Sequence, residues 1–418
     1  MVRKEVLSNG LTLLVEQVPG VRSASIGVWL RMGSRHETDA LSGICHFIEH
    51  LVFKGTTNRS AREISLLTDR MGGNLDAFTT KEMTCFYARV LDEHVPMAVD
   101  LLGDIVRHPL FDGEELERER RVILEEIRMV LDSPEDRVHD LFCEEFWPGS
   151  PLGRPIQGTE QTVRGMSRQT VLRWFRKAYV PQNLVVAASG RLRSADQRAL
   201  RETFGALNAG KPARTGRGPR WRPGIRLEHR RELEQVHLLF GVPALPAGHQ
   251  DRFAMHILNT MLGGSISSRL FQRVREERGL VYSIASHVQA FSQAGLLTVY
   301  AGTSPHNARD VLELSLQAMR ELASEVPPED ELDVARDHLK GNLLLALEST
   351  TSRMSRAARE QIVLGRQMSV DEIAEQLAAV GPKDIRRVAR KLFRDKQLAL
   401  AAVGRTRGMR LREKELRL

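Results

Sequence analysis

The chain has 418 residues with 42% apolar and 27% charged side chains and a net charge of +8; that length exceeds one ordinary core and predicts two domains of about 200 residues each. Aromatic residues are only 5% of the total, and the basic residues lie scattered beside acidic ones, as in Glu115 to Arg121, which argues against a nucleic-acid surface. The three cysteines, Cys45, Cys85 and Cys143, form no CxxC pair, and no apolar run has signal-peptide or membrane-spanning length, so the expectation is a cytoplasmic protein with free thiols and no membrane partner.

Leu11 to Gln17 and Ser23 to Met32 alternate in the manner of half-buried strands joined near Pro19-Gly20. Ser42 to Phe53 has helical spacing, with Ile44, Phe47, Ile48 and Leu51 on one side. A second helix is predicted over Ser60 to Met71, with Ser60 as its cap, Glu63 completing a capping box and Gly72-Gly73 as its stop. Asn74 to Thr79 and Thr84 to Val90 read as a strand pair, and Val95 to Arg107 as a helix. Asp112 to Leu131 reads as a long helix capped by Asp112, with Pro134 beyond its end. Leu184 to Ser189 is a short buried strand.

Gly205 to Pro223 is rich in Gly, Pro, Lys and Arg and lacks apolar periodicity. It predicts a linker at 209–224 between a first domain at 1–208 and a second at 225–418. The two halves resemble diverged copies. Gln235 to Gly264 again gives a strand and a helix ending in a Gly pair, and Glu331-Leu332 opens a long helix as Glu115-Leu116 does. Aligned in this way, His256, Asn259 and Thr260 fall opposite His46, Glu49 and His50, and Asn342 falls opposite Glu126. The second half is then expected to keep the scaffold without a metal.

The segment His46-Phe47-Ile48-Glu49-His50 carries the chemistry. Residues i and i+4 share a helical face, so His46 and His50 can aim two imidazoles at one ion. Glu49, one residue before the second His, can serve as a general base rather than a ligand. Cys45 lies about 100° around the helix from His46 and is expected in the core. A catalytic zinc needs a third protein ligand. Asp112 to Leu131 supplies several carboxylates, among them Glu119 and Glu126 two turns apart on one face, although a Glu-rich helix is ordinarily a solvated surface.

Four separated blocks carry a resemblance over essentially the whole chain: Gly43 to Thr56, Gly72 to Tyr87, Glu117 to Ile127 and Leu262 to Ile284. With them the sequence resembles the pitrilysin (M16) family of zinc peptidases, and more narrowly the branch of bacterial processing-protease homologues and the mitochondrial processing peptidase beta subunit. The resemblance implies an α+β fold of two homologous domains, each a mostly antiparallel sheet packed with helices, forming half of a clamshell chamber. It implies a zinc-dependent endopeptidase acting on extended or unfolded peptides, with one zinc per chain held by His46, His50 and Glu126. Glu49 would be the base and Glu119 would support a ligand histidine. Glu125, the nearest competitor to Glu126, does not fit the family spacing. Arg275 and Tyr282 would stabilise the oxyanion, and Asn74 and Ala77 would hold substrate as part of an edge strand. A homodimer with the site completed in trans is expected. The alternatives are the catalytic subunit of a heterodimeric peptidase or a non-cleaving scaffold member. One departure stands in the glycine-rich segment, where Gly263-Gly264 is followed by Ser265 rather than a third glycine.

Overall fold

The computed structural model describes residues 2–213, 216, 218–409 and 418; residues 214, 215 and 217 of the expected linker lie outside the described residues. The helices in chain order are α1 (Ile44–Leu51), α2 (Ala61–Arg70), α3 (Val95–Arg107), α4 (Gly113–Asp132), α5 (Pro134–Phe146), α6 (Glu160–Gly165) and α7 (Arg168–Ala178). There follow α8 (Ser194–Gly205), α9 (Arg252–Asn259), α10 (Ala308–Ser324), α11 (Glu329–Ala346), α12 (Thr350–Leu364), α13 (Val370–Ala378) and α14 (Pro382–Leu392). The strands are β1 (Val2–Val6), β2 (Thr12–Gln17), β3 (Ser23–Leu30), β4 (Asn74–Thr79), β5 (Thr84–Leu91), β6 (Leu184–Gly190), β7 (Gly224–His229), β8 (Val236–Ala244), β9 (Val281–Ala290), β10 (Gly295–Thr303) and β11 (Ala399–Gly404).

Two compact units result: one of residues 1–128, 154–216 and 345–367, the other of residues 129–153, 217–344 and 368–418. They differ from the contiguous halves expected at 1–208 and 225–418, because each unit takes one helix from the other half of the chain. The reason is apolar burial on both faces of each sheet.

The first unit holds the sheet β1-β2-β6-β3-β5-β4, in which β2 and β6 run parallel and the other neighbours antiparallel. One face buries Leu13, Val15, Ile26, Val28, Phe86 and Ala88 against Phe47 and Ile48 of α1, Leu102 of α3 and Val171 of α7. The opposite face carries Leu14, Trp29, Cys85, Val185 and Ala187, which would meet water without a cover; Met354, Ala357 and Ala358 of α12 supply it. Trp29 Nε1 donates to Met354 Sδ at 3.2 Å.

The second unit repeats the pattern with β7-β11-β8-β10-β9, again with one parallel pair, β7 and β11. One face packs on α9, α10 and α14; Leu239, Leu296, Ala399 and Ala401 of the other face pack against Val138, Leu141 and Phe142 of α5. The strand order of the second sheet matches β2-β6-β3-β5-β4 position for position.

Pro134 lies beyond the end of α4, as expected, and is also the first residue of a further helix, α5; proline suits that position because the missing N–H would be unpaired there anyway, and Ser133 caps the helix. The capping box at Ser60 and Glu63 is present, and Asp112 Oδ1 accepts from the N–H groups of Glu114 and Glu115 at the start of α4.

The entry to α1 depends on two glycines packed back to back. Gly43 has φ +95°, and a Cβ there would lie 2.4 Å from Gln157 O; Gly158, at φ +79°, would place one 2.3 Å from Ser42 O. Gly43→Ala therefore meets both backbone strain and overlap, and is expected to lower stability by about 2–4 kcal/mol, measurable by denaturant unfolding of the metal-free chain.

Candidate metal centre

α1 is short and two-faced. Ile44, Cys45, Phe47, Ile48 and Leu51 are buried, which turns His46, Glu49 and His50 toward the other side. Cys45 belongs to the core as expected, and all three cysteines are free thiols. α4 seats itself through Leu116, Ile123, Leu124 and Ile127, and this seating brings Glu119 and Glu126 to the histidines.

The three expected ligands converge. His46 Nε2 lies 3.7 Å and His50 Nε2 3.6 Å from the same oxygen of Glu126, Oε2. The donor atoms of the three residues all lie within 4.8 Å of one another, and no second such group of His, Cys, Asp and Glu occurs among the described residues. Donor atoms about 2.0–2.2 Å from a tetrahedral zinc stand roughly 3.3–3.6 Å apart, so each histidine is within a few tenths of an ångström of that spacing from the Glu126 oxygen. Two imidazoles and one carboxylate are also a donor set that zinc takes in catalytic sites. Glu125 points elsewhere: it is exposed and paired with Arg128 at 2.5 Å.

Charge in the site is arranged unevenly. Burial, with the neighbouring His50, drives the His46 imidazole down to about 4, so at neutral pH the ring is uncharged and one of its nitrogens keeps a lone pair for a metal. For His50 burial alone would act the same way. The hydrogen bond with Glu119 and the charges of Glu126 and Glu49 outweigh it and raise His50 instead. Glu119 Oε2 lies 3.1 Å from His50 Nδ1, which fixes that ring so that Nε2 faces the metal position. Lys54 Nζ holds the other Glu119 oxygen at 2.8 Å. Burial of Glu119 is outweighed by these two partners, which hold its carboxyl low.

Glu49 is raised by burial, against the opposing effects of a hydrogen bond from Thr79 and the nearby His50. Thr79 Oγ1 donates to Glu49 Oε2 at 2.5 Å. Thr79 ends β4, the outer strand of its sheet, which also carries exposed Asn74 and half-buried Ala77. The Ala77 N–H donates to the Asp76 carboxylate at 2.8 Å. Sequence reasoning missed Thr79 and Lys54. Lys54 stands one turn beyond His50, a spacing that could have found it; nothing in the sequence distinguishes Thr79 from its neighbours.

Arg275 and Tyr282 lie in the second unit and stand together, the guanidinium 5.7 Å from the Tyr282 ring centroid, with Tyr282 83% exposed. The counterpart of the metal helix in that unit has no ligand set. α9 runs on at Thr260 into a π-helical turn, Thr260–Gly264, and Thr260 Oγ1 donates to His256 O at 3.1 Å.

Two family descriptions match the chain: Insulinase (Peptidase family M16) over residues 12–160 and Peptidase M16 inactive domain over residues 165–339. The chain is 39% identical over 401 residues to the uncharacterized zinc protease YmxG of Bacillus subtilis, covering 96% of this chain and 98% of the relative. It is 42% identical over 413 residues to an uncharacterized zinc protease of Streptomyces coelicolor, covering 96% and 89%. In fold it is similar to a Helicobacter pylori protease, with a TM-score of 0.90 at 20% identity over 97% of this chain and 99% of that one. It is also similar to a structure described as a peptidase M16 inactive domain from Pseudomonas fluorescens, with a TM-score of 0.90 at 18% identity over 96% and 98%.

Glu119→Gln removes the acceptor that orients His50 and is expected to weaken zinc binding about 10–100-fold in competition with a chromophoric chelator. Because His46 is already neutral, zinc binding at pH 6 is expected to release about one proton, from His50, in calorimetry across buffers of different ionisation enthalpy.

Proposed function

Because the chain belongs to peptidase family M16, we propose that it is a zinc-dependent endopeptidase that cuts extended or unfolded polypeptides within a closed chamber formed by two protomers. The observation that carries this reading is the meeting of His46, His50 and Glu126 with Glu49 on the same helical face, beside the outer strand β4.

Zinc, held by His46, His50 and Glu126, supplies Lewis acidity toward water and toward a peptide carbonyl. The chain's own residues do the rest. An extended peptide adds to the free edge of β4 by main-chain hydrogen bonds, near Asn74 and Ala77. Glu49, with its carboxyl raised toward the working pH, takes a proton from the attacking water. It then gives that proton to the departing amide nitrogen. Thr79 holds the Glu49 carboxylate in one orientation through both transfers.

Arg275 and Tyr282 supply donors to the carbonyl oxygen as it becomes negative, reaching the metal site of a partner protomer in a homodimer. The outward presentation of Tyr282, with the half-buried Arg275 beside it, supports this role. The presence of the whole His, Glu, His, Glu set favours a cleaving enzyme over a scaffold member, and its union with Arg275 and Tyr282 in one chain favours a homodimer over a heterodimer. No described helix is long and apolar enough to cross a membrane.

Glu49→Gln is expected to lower kcat at least about 1,000-fold while zinc stays bound, read by peptide cleavage alongside metal analysis; wild-type turnover in this variant would sink the mechanism. Arg275→Ala and Glu49→Gln protomers, each inactive alone, are expected to recover part of the activity when mixed. Confirmed mixed dimers without recovery would refute the shared site.

A further inference from the structure

We propose that Glu37 is a positioning residue whose buried carboxylate clamps the first turn of α1 and so sets the aim of His46 and Glu49; this rests on the zinc-site reading above. Helices are ordinarily capped by a Ser, Thr, Asp or Asn side chain at the residue before the first turn. In α1 that residue is Gly43, which brings no side chain. Glu37, six positions upstream, takes its place: the Gly43 N–H donates to Oε2 at 2.8 Å. The Cys45 N–H donates to Oε1, also at 2.8 Å.

The clamp is itself braced. Arg154 donates from its guanidinium to Glu37 O at 2.7 Å and also pairs with Asp39. Thr162 Oγ1 donates to Ser42 O at 2.7 Å. The main-chain N–H groups of Ser34 and Arg35 donate to Thr80 O and Lys81 O, at 3.1 and 2.7 Å, in the turn that follows Thr79. Glu37 thus sits where the start of α1 and the hairpin bearing Thr79 are joined.

The two ligand histidines differ in a way that makes this clamp matter. His50 is oriented from behind by Glu119. His46 Nδ1 is buried and has no hydrogen-bond partner among the described residues. Among the described residues no side chain steers the His46 ring by a hydrogen bond at Nδ1, so its direction follows the backbone of the first turn, where Cys45 precedes it.

Holding a carboxylate here works against stability. Glu37 is only 4% exposed, and burial pushes its carboxyl up to about 7 despite the two backbone bonds. A raised carboxyl means that the folded chain holds the proton more tightly than the unfolded one. Its contribution to stability is therefore fully present below the ordinary carboxylate range and is lost as pH rises to about 7. A neutral cap would avoid this cost, and the presence of a carboxyl group here fits a site arranged for aim rather than for folding.

Glu37→Gln keeps the volume and resembles the protonated acid. The zinc affinity of this variant is expected to fall about 10-fold, and amide exchange over residues 43–46 to rise about 10-fold. The thermal midpoint of its metal-free chain at pH 8 is expected to stay at or above that of the parent. Affinity and exchange within about twofold of the parent would overturn the proposal. So would a lowered midpoint that accounts for the lost zinc, since Glu37 would then be structural only. If E37Q does not fold, Arg154→Met, which frees the main chain of Glu37 from outside, decides through the same two readouts with about a threefold change expected and no change overturning the proposal. A parent chain that binds zinc but cleaves no peptide would defeat the peptidase reading alone, because zinc affinity and exchange still test Glu37.

Discussion

Three donor atoms must be held together although, until a cation arrives, only the pull between His50 and the Glu126 carboxylate draws any of them inward. Two sit on an eight-residue helix and one on its neighbour. Burial resolves part of this by keeping the His46 ring neutral. The two imidazoles meet edge to face with centroids 4.6 Å apart, an arrangement that suits a neutral ring beside one of higher proton affinity. The remaining cost is carried by packing: α1 is anchored by five buried side chains and cannot turn its polar face away without exposing them.

That anchoring requires a sheet covered on both faces. In the first unit α12 covers the face that α1 does not, with Met354, Ala357 and Ala358 on Trp29 and Cys85. β5 lies between β3 and β4, so order in the buried strands extends to the outer strand beside the metal helix. The second unit keeps the strand order but has a π-helical turn where α1 offers its second histidine. A π-turn changes which residues share a face. His256 and Thr260, the residues opposite His46 and His50, nevertheless stay one α-helical turn apart, with the Thr260 N–H donating to His256 O, so the missing ligand there follows from a threonine standing where the second histidine would be.

Much of this was readable from the chain. The His46, Glu49, His50 face follows from a single helical period, and the strands about Ser23 and Thr84 follow from alternation. Capping at Ser60 and Asp112 was visible because those caps act within three residues. What escaped was non-local or nearly featureless. β1 has only Val2 and Val6 as apolar residues and is recognisable only by its pairing with β2. α5 was hidden because Ser133 alone separates it from α4. The exchange of α5 and α12 leaves no trace in hydrophobic period, since each helix reads as amphipathic whichever sheet it covers. Glu126 was one carboxylate among several until its family spacing singled it out.

Geometry supplies an independent reason for that choice. Glu119 reaches the same histidine and is more buried than Glu126, so burial and proximity alone do not make it the weaker ligand. Its oxygens are already committed, however: Oε2 to His50 Nδ1 and Oε1 to the Lys54 ammonium. Turning toward the metal would give up the half-buried Lys54 ammonium and release the ring that Glu119 orients, the second a loss of about 1–3 kcal/mol. Glu126 has no Lys or Arg partner among the described residues, and its Oε2 already faces both Nε2 atoms. A cation at that point takes up a Glu126 oxygen that has no other cationic side chain to leave, whereas binding through Glu119 would give up both of its partners. The lysine one turn past His50 therefore helps decide which of two similar carboxylates binds and which one steers.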